Sequence, residues 1–175
     1  MDEQTLRNLL NLESEKSIGK IQIFDEIDST NSESLRQIQS GNIENRVVVA
    51  SSQTAGRGRR GRQWLSPKNA GIYLSLTRRF SMEANALQAL SLVTAISVVE
   101  ALYQLGAQGL QLKWPNDVLF EKKKLAGILL ELQHKENSRF VVFGIGVNIE
   151  LPADLLDSID RPVTDLDSIM NEPPC

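Results

Sequence analysis

The 175-residue chain has a single cysteine, Cys175, and a single histidine, His134. One thiol and one imidazole cannot build an internal disulfide framework or a Cys/His zinc site. A Ser-His-Asp or Cys-His nucleophile system would have to use His134. That residue ends the run Leu130-Glu131-Leu132-Gln133-His134 and reads as an exposed strand-end group. Whatever chemistry occurs here must run without histidine. Long apolar runs are also missing. The richest stretch, Leu87 to Leu105, is broken by Gln88, Ser91, Thr94, Ser97, Glu100 and Gln104, short of the ~18 uninterrupted residues of a membrane helix. The start, Met1-Asp2-Glu3-Gln4, lacks the charged-then-apolar plan of a signal peptide, so a cytoplasmic location is expected.

Acidic groups are absent from one long segment. Residues 51–80 hold seven Lys/Arg and no Asp or Glu, in a chain whose net charge is −3, whereas residues 141–175 carry a balance of −6. The overall charge argues against general coating of nucleic acid, and the concentrated block argues for an anion site. Composition, at 41% hydrophobic and 23% charged, is that of an ordinary soluble domain, and the length suits a single one over 1–175.

Periodicity predicts a short amphipathic helix over 3–12 and a strand over 20–24. Ser29-Thr30-Asn31 then caps a helix of about ten residues that Gly41 stops. Strands follow at 47–50 and 71–77, and a helix over 84–105 is apolar nearly all round, which predicts burial. Further strands are expected at 110–114, 118–120, 125–132 and 140–147, with Glu121 to Lys124 as a hairpin turn. Ser158 to Met170 begins like another helix, and the Pro-rich end to Cys175 makes the chain look cut rather than finished. This alternation of helices and hairpins predicts an α+β fold with a mixed, largely antiparallel sheet.

Four segments carry candidate chemistry. Gln53 to Trp64 interleaves Arg57, Arg59, Arg60 and Arg62 with three glycines. Glycine lets backbone approach a ligand closely, and arginine pairs bidentately with carboxylate or phosphate. Trp64 offers a stacking face. The segment is no Walker loop, since no Gly-Lys-Ser/Thr follows. It reads either as a small-anion site, mobile until its anion binds, or as a solvated basic loop contacting nucleic acid. Lys113-Trp114-Pro115-Asn116-Asp117 is a turn with a polar tip. Lys124, entering the apolar strand with Ala126 and Gly127 behind it, either projects an ammonium over a tight pocket or ends the solvated lysine run. Gly144 and Gly146, inside a strand, mark a bulge or a close approach.

The order Asp28-Ser29-Thr30-Asn31, Gln53 to Trp64, Lys113 to Asp117, Lys124 to Leu129 and Gly144 to Ile149 resembles the catalytic domain of biotin protein ligases. The resemblance implies the class II synthetase-like biotin/lipoate ligase fold, a mixed, largely antiparallel sheet flanked by helices. It implies synthesis of biotinyl-5′-AMP from biotin and ATP with Mg²⁺, then transfer of biotin to a lysine of an apo biotin carboxyl carrier protein domain. Carried over residue by residue, Ser29, Thr30, Asn31 and Gln53 would hold the biotin head, and Gly127 would leave room for its rings. Arg57, Gly58 and Arg59 would close over the biotin carboxylate and α-phosphate. Lys124 would bridge those two anions as the central catalytic side chain, with Arg59 beside it. Arg60, Arg62, Trp64, Asn116 and Asn148 would meet the nucleotide. Asp117 is the candidate for orienting or deprotonating the acceptor amine, and a candidate metal contact; no other metal ligand is assigned.

The same resemblance shows two departures. About 20 residues precede the first strand, too few for the DNA-binding winged helix of bifunctional members, so DNA binding is not expected. Only 26 residues follow Ile149, so the small C-terminal β-barrel is expected to be absent and the domain truncated at that end. The resemblance leaves a homodimer open. Two alternatives stand beside this reading: a lipoate-type protein ligase of related fold, which would lack the Gly/Arg segment, and a non-catalytic fragment or nucleic-acid-contacting module.

Overall fold

A computed structural model describes residues 2–42, 44–80, 87–135, 138–159 and 161–170. Two short helices come first, α1 (Glu3–Leu9) and α2 (Leu12–Ser17), where one was expected. Asn11 divides them because its side chain accepts a hydrogen bond from the Ser14 amide at 2.8 Å and caps a new helix.

Next comes a strand–helix–strand unit: β1 (Lys20–Ile27), α3 (Thr30–Gln39) and β2 (Arg46–Gln53). Ser29 caps α3 by accepting from the Ser32 amide, and Gly41, at φ +91°, lies just past its end. A helical crossover allows β1 and β2 to pair in parallel, and they do. The remaining strands are β3 (Gly71–Phe80), β4 (Gln111–Lys113), β5 (Asp117–Phe120), β6 (Lys123–Lys135) and β7 (Ser138–Asn148), with helix α4 (Leu87–Gln104) between β3 and β4. All other pairings are antiparallel, giving one seven-stranded sheet in the order β1-β2-β3-β7-β6-β5-β4. The expected α+β class and mixed, largely antiparallel sheet are what the chain forms. The β5–β6 hairpin turns on Glu121 and Lys122, both at positive φ (48° and 67°), as a two-residue turn matched to strand twist requires. His134 pairs with Arg139 at the exposed end of β6–β7.

Successive strand residues face opposite sides, so β6 and β7 present two different surfaces. On one, Ala126, Ile128 and Val147 pack with Ala95 and Leu102 of α4, and with Val118 and Leu125, in the main core. On the other, Phe140 and Val142 pack against Ile38 and Leu35 of α3, and further along the same face come Gly144, Gly146 and Gly127. The helix expected to be buried all round is buried on one side only. Leu92, Ile96 and Tyr103 are exposed, and Val93 is 57% exposed, because α4 lies on the sheet with no described element over its outer face. Residues 84–86 of that expected helix lie outside the described residues.

The expected helix from Ser158 to Met170 is replaced by two short ones, α5 (Ala153–Ser158) and α6 (Leu166–Ile169), with extended chain at 161–165. The extended piece pairs with β6: the Lys124 amide donates to Pro162 O at 2.9 Å, and the Thr164 amide donates to Lys124 O at 3.0 Å. A helix would have consumed those groups internally. Asp165 then caps α6, accepting from Ser168 N, and its other oxygen takes Leu151 N. Cys175, with residues 171–175, lies outside the described residues.

Candidate active site

Three elements converge on the glycine-bared face. The first is the start of α3, where Ser29, Thr30 and Asn31 are all buried. The Thr30 amide and hydroxyl both donate to Gln53 Oε1, at 2.9 and 3.2 Å, and Gln53 Nε2 donates to Ser66 Oγ at 2.8 Å. The Ser75 hydroxyl donates to Asn31 Oδ1 at 2.6 Å and lies 2.8 Å from the Thr30 hydroxyl. Asn31 Nδ2 donates to Glu131 Oε2 at 2.9 Å. This polar fork is preorganised, because each member is held by another. It fits only because Gly144 has no side chain; a Cβ there would collide with the Asn31 amide.

The second element is the Gly/Arg loop between β2 and β3. It folds back on itself through Gly58 N to Arg62 O at 2.7 Å and Trp64 N to Gly56 O at 2.9 Å. Two of its arginines are tied inward. Arg57 pairs with Glu131 at 2.6 Å, and Arg59 donates to Asn116 Oδ1 at 3.0 Å. Arg62 lines the cavities described below, whereas Arg60, at φ +58°, is exposed and lines neither of the two main ones. The loop expected to be mobile without an anion thus has internal partners for part of its charge. Trp64 lies flat over β6 and β7. A Cβ on Gly146 would come within 2.5 Å of the indole ring, and one on Gly127 within 2.9 Å. The indole N–H is buried and has no protein acceptor among the described residues.

The third element is the β5–β6 edge. Lys124 is 9% exposed, its ammonium 2.6 Å from Asp117 and 5.2 Å from the centre of a Trp64 ring. Burial pulls its pKa below the ordinary lysine value, Asp117 opposes that pull, and Arg161 and Arg62 add to it. Asp117 thus pairs directly with Lys124. Asn116 donates to Ile128 O at 2.8 Å while accepting from Arg59, so it anchors the loop to β6. The amide nitrogen of Asn148 is used on Lys124 O and Thr164 O, locking the extended segment to β6.

These elements enclose two connected spaces. A small cavity of about 50 Å³ lies between the polar fork and the loop, lined also by Gly127, Gly144, Gly146 and Lys124. A larger one of about 460 Å³ lies beyond Trp64 and has the apolar walls Leu151, Leu155, Ile159 and Val163. Trp64, Lys124, Arg62, Gln63 and Arg161 border both. No described acidic residue lines either cavity. Among the described residues no cluster of three His, Cys, Asp or Glu could hold a metal, and no helix is long and apolar enough to cross a membrane.

Sequence reasoning missed Glu131, Ser75, Ser66 and Arg161. The first three follow from register alone. Arg161 had a signal, since it is the one basic residue after Arg139 in an otherwise acidic stretch.

A polar fork, an apolar chamber and a cationic border shared by the two cavities make up the candidate site. Residues 23–148 match the model of the biotin/lipoate A/B protein ligase family, and the chain belongs to that family. It is 40% identical over 137 residues to the bifunctional ligase/repressor BirA of Escherichia coli, covering 76% of this chain and 41% of that protein. To the biotin–[acetyl-CoA-carboxylase] ligase of Mycobacterium tuberculosis it is 35% identical over 171 residues, covering 95% and 62%. Among solved structures, the Aquifex aeolicus biotin protein ligase in complex with biotin and ATP superposes with a TM-score of 0.68 at 34% identity, covering 89% of this chain and 63% of that one. The chain thus spans less than two thirds of the length of each of these relatives.

Proposed function

We propose that this chain activates biotin as biotinyl-5′-AMP and passes it to a lysine of a biotin carboxyl carrier protein. The observation that carries the proposal is the cationic junction: Lys124, Arg62 and Arg161 border both cavities, Arg59 borders the smaller one, and no described acidic residue lines either. Adenylation needs no general base, because a carboxylate of pKa near ~4 is already ionised at neutral pH. Its obstacle is the repulsion between that carboxylate and a polyphosphate. Cations fixed where the two anions meet remove this obstacle, and they act most strongly where water is excluded.

In this reading Ser29, Thr30, Asn31 and Gln53 hold the ureido head of biotin, whose donors and acceptors suit hydroxyl and amide partners. Arg57, Gly58 and Arg59 close over the carboxylate. Lys124 bridges it to the α-phosphate, and Trp64 separates the biotin chamber from the nucleotide chamber. A biotin carboxylate oxygen attacks the α-phosphorus, the new O–P bond forms, and the bond to pyrophosphate breaks. In the second step the acceptor amine attacks the acyl carbon, an amide forms, AMP leaves, and the amine's proton is lost. Asp117 holds Lys124 in place for the first step and is the carboxylate nearest the junction for the second. Magnesium would be carried by the ATP phosphates and would offset their charge, since Asp117 is a lone carboxylate already bound by Lys124.

Two findings support biotin adenylation over a nucleic-acid contact: Arg57 and Arg59 are paired with this chain's own Glu131 and Asn116, and Lys124 is buried. Calorimetry with biotin, then with biotin plus ATP, tests the proposal. Biotin binding that tightens with ATP, with pyrophosphate released, is the expected result. Preference for lipoate, or no binding of either acid, would overturn it.

A further inference from the structure

We propose that Arg161 is a phosphate-binding residue that seats the polyphosphate of a nucleoside triphosphate at the junction of the two cavities. The proposal rests on the adenylation reading given above and assigns a group to it from outside the recognised motifs. Arg161 borders both cavities, together with Lys124, Arg62 and Trp64. No described carboxylate pairs with its guanidinium, although the surrounding stretch is the most acidic in the chain. Three cations therefore face one junction, and among the described residues the acid paired with any of them is Asp117, on Lys124. Crowding like charges without a counter-ion costs energy, and a polyanion placed among them removes that cost. Burial is the main cause of the lowered Lys124 pKa, and Arg161 and Arg62 add a smaller push in the same direction.

The backbone holds Arg161 in position. Its amide donates to Ile159 O at 2.7 Å. The next residue, Pro162, has fixed φ, favours extended backbone in the residue before it, and accepts the Lys124 amide at 2.9 Å. One short stretch of chain thus fixes both the Lys124 backbone and the Arg161 guanidinium. Arg161 lines the apolar chamber, whose 460 Å³ suits a nucleoside. Arginine's planar fork matches two phosphate oxygens, which places it on phosphate while the apolar walls take the base.

Binding of ATP, inorganic tripolyphosphate and adenosine to the full chain and to Arg161→Ala tests the inference, followed by steady-state kinetics with biotin and ATP. ATP and tripolyphosphate should each bind Arg161→Ala about tenfold more weakly, with adenosine and biotin affinity unchanged within twofold. The KM for ATP should rise by the same factor, with kcat changed less. Arg161→Lys should recover part of the loss, and Arg161→Gln none. Equal binding of ATP and tripolyphosphate by parent and Arg161→Ala would overturn the proposal. Loss of adenosine and biotin binding in step with ATP, or failure of both neutral variants to fold, would make Arg161 structural and overturn it as well. Because tripolyphosphate needs no biotin, failure of biotin adenylation and failure of the Arg161 assignment are separate outcomes.

Discussion

The two faces of β6 and β7 are built from the same residues in alternation, yet they do different work. Toward α4 the strands present Ala126, Ile128, Ile145 and Val147, which fill the core. Toward the loop they present Gly127, Gly144 and Gly146, and the space left by the missing side chains holds Trp64 and the Asn31 amide. The main core therefore lies on one surface, and the other carries a smaller cluster against α3 and, at its glycine end, the candidate site. A site cut by removing side chains from a sheet face must be supported from the opposite side, because the bared face contributes little packing of its own.

Lys124→Ala should break the comparison most severely on the ligand face. The ammonium is buried at the junction of both cavities, so adenylate synthesis should fall by ~10²–10³-fold, the effect of removing one positioned charge-stabilising group. Stability should fall by less than activity does, because the Asp117 carboxylate left without its partner is 23% exposed and can take up water. Pyrophosphate release measured beside urea unfolding checks both halves. A large activity loss accompanied by an equally large stability loss would mean that the faces are not separable at this position.

Ile128→Ala and Gly146→Ala test the separation directly. Ile128 is 1% exposed on the α4 face, and its truncation should cost about 2–4 kcal/mol of stability while the affinity of the folded protein for biotin is retained. Gly146→Ala does the converse. Its new methyl meets the Trp64 ring, a rigid neighbour, and should reduce ligand affinity ~10-fold, about 1.4 kcal/mol, with a smaller effect on unfolding. Calorimetric binding and thermal unfolding on both variants decide the matter, and equal effects in both assays for either variant would refute the division of labour.

What could be read from the sequence follows the same division. Strand and helix periods reveal the core face, since apolar spacing is a local signal, and Ser29-Thr30-Asn31 announces both a helix cap and a polar fork. The Gly/Arg loop, Lys124 and the paired glycines stood out through composition, and the resemblance to biotin protein ligases made them site candidates. Glu131 did not, because its partner Arg57 lies 74 residues earlier and only the register of β6 brings them together. Arg161 went unnoticed for a different reason: it lies within 158–170, a stretch that reads locally as the start of a helix. Its true position depends on a backbone bridge to Lys124 that no local pattern encodes. The one-sided burial of α4 was illegible too, because an all-apolar helix looks the same whether one face or both are covered.

The smallest effect concerns the entrance to the ligand face. Asp28 precedes the polar fork and accepts two hydrogen bonds from Arg36, both at 2.8 Å. Those bonds hold its pKa down to about 2, from an ordinary 3.8. A carboxyl depressed on folding stabilises the native state above its unfolded pKa and loses that contribution as pH falls through the folded value. The difference in unfolding free energy between the parent and Asp28→Asn should therefore be constant above about pH 4 and shrink between pH 4 and 2. Both side chains are nearly half exposed, so solvent screening keeps the plateau below ~1 kcal/mol. Biotin affinity at pH 7 should fall by less than threefold, because Ser29 caps α3 through its own hydroxyl without help from Asp28. Unfolding by urea at pH 2.5, 4 and 7 gives the first curve, and calorimetry at pH 7 gives the second value. A tenfold loss of biotin binding in Asp28→Asn would show that the ion pair belongs to the site, and the boundary between supporting fold and ligand face would then lie one residue earlier than Ser29.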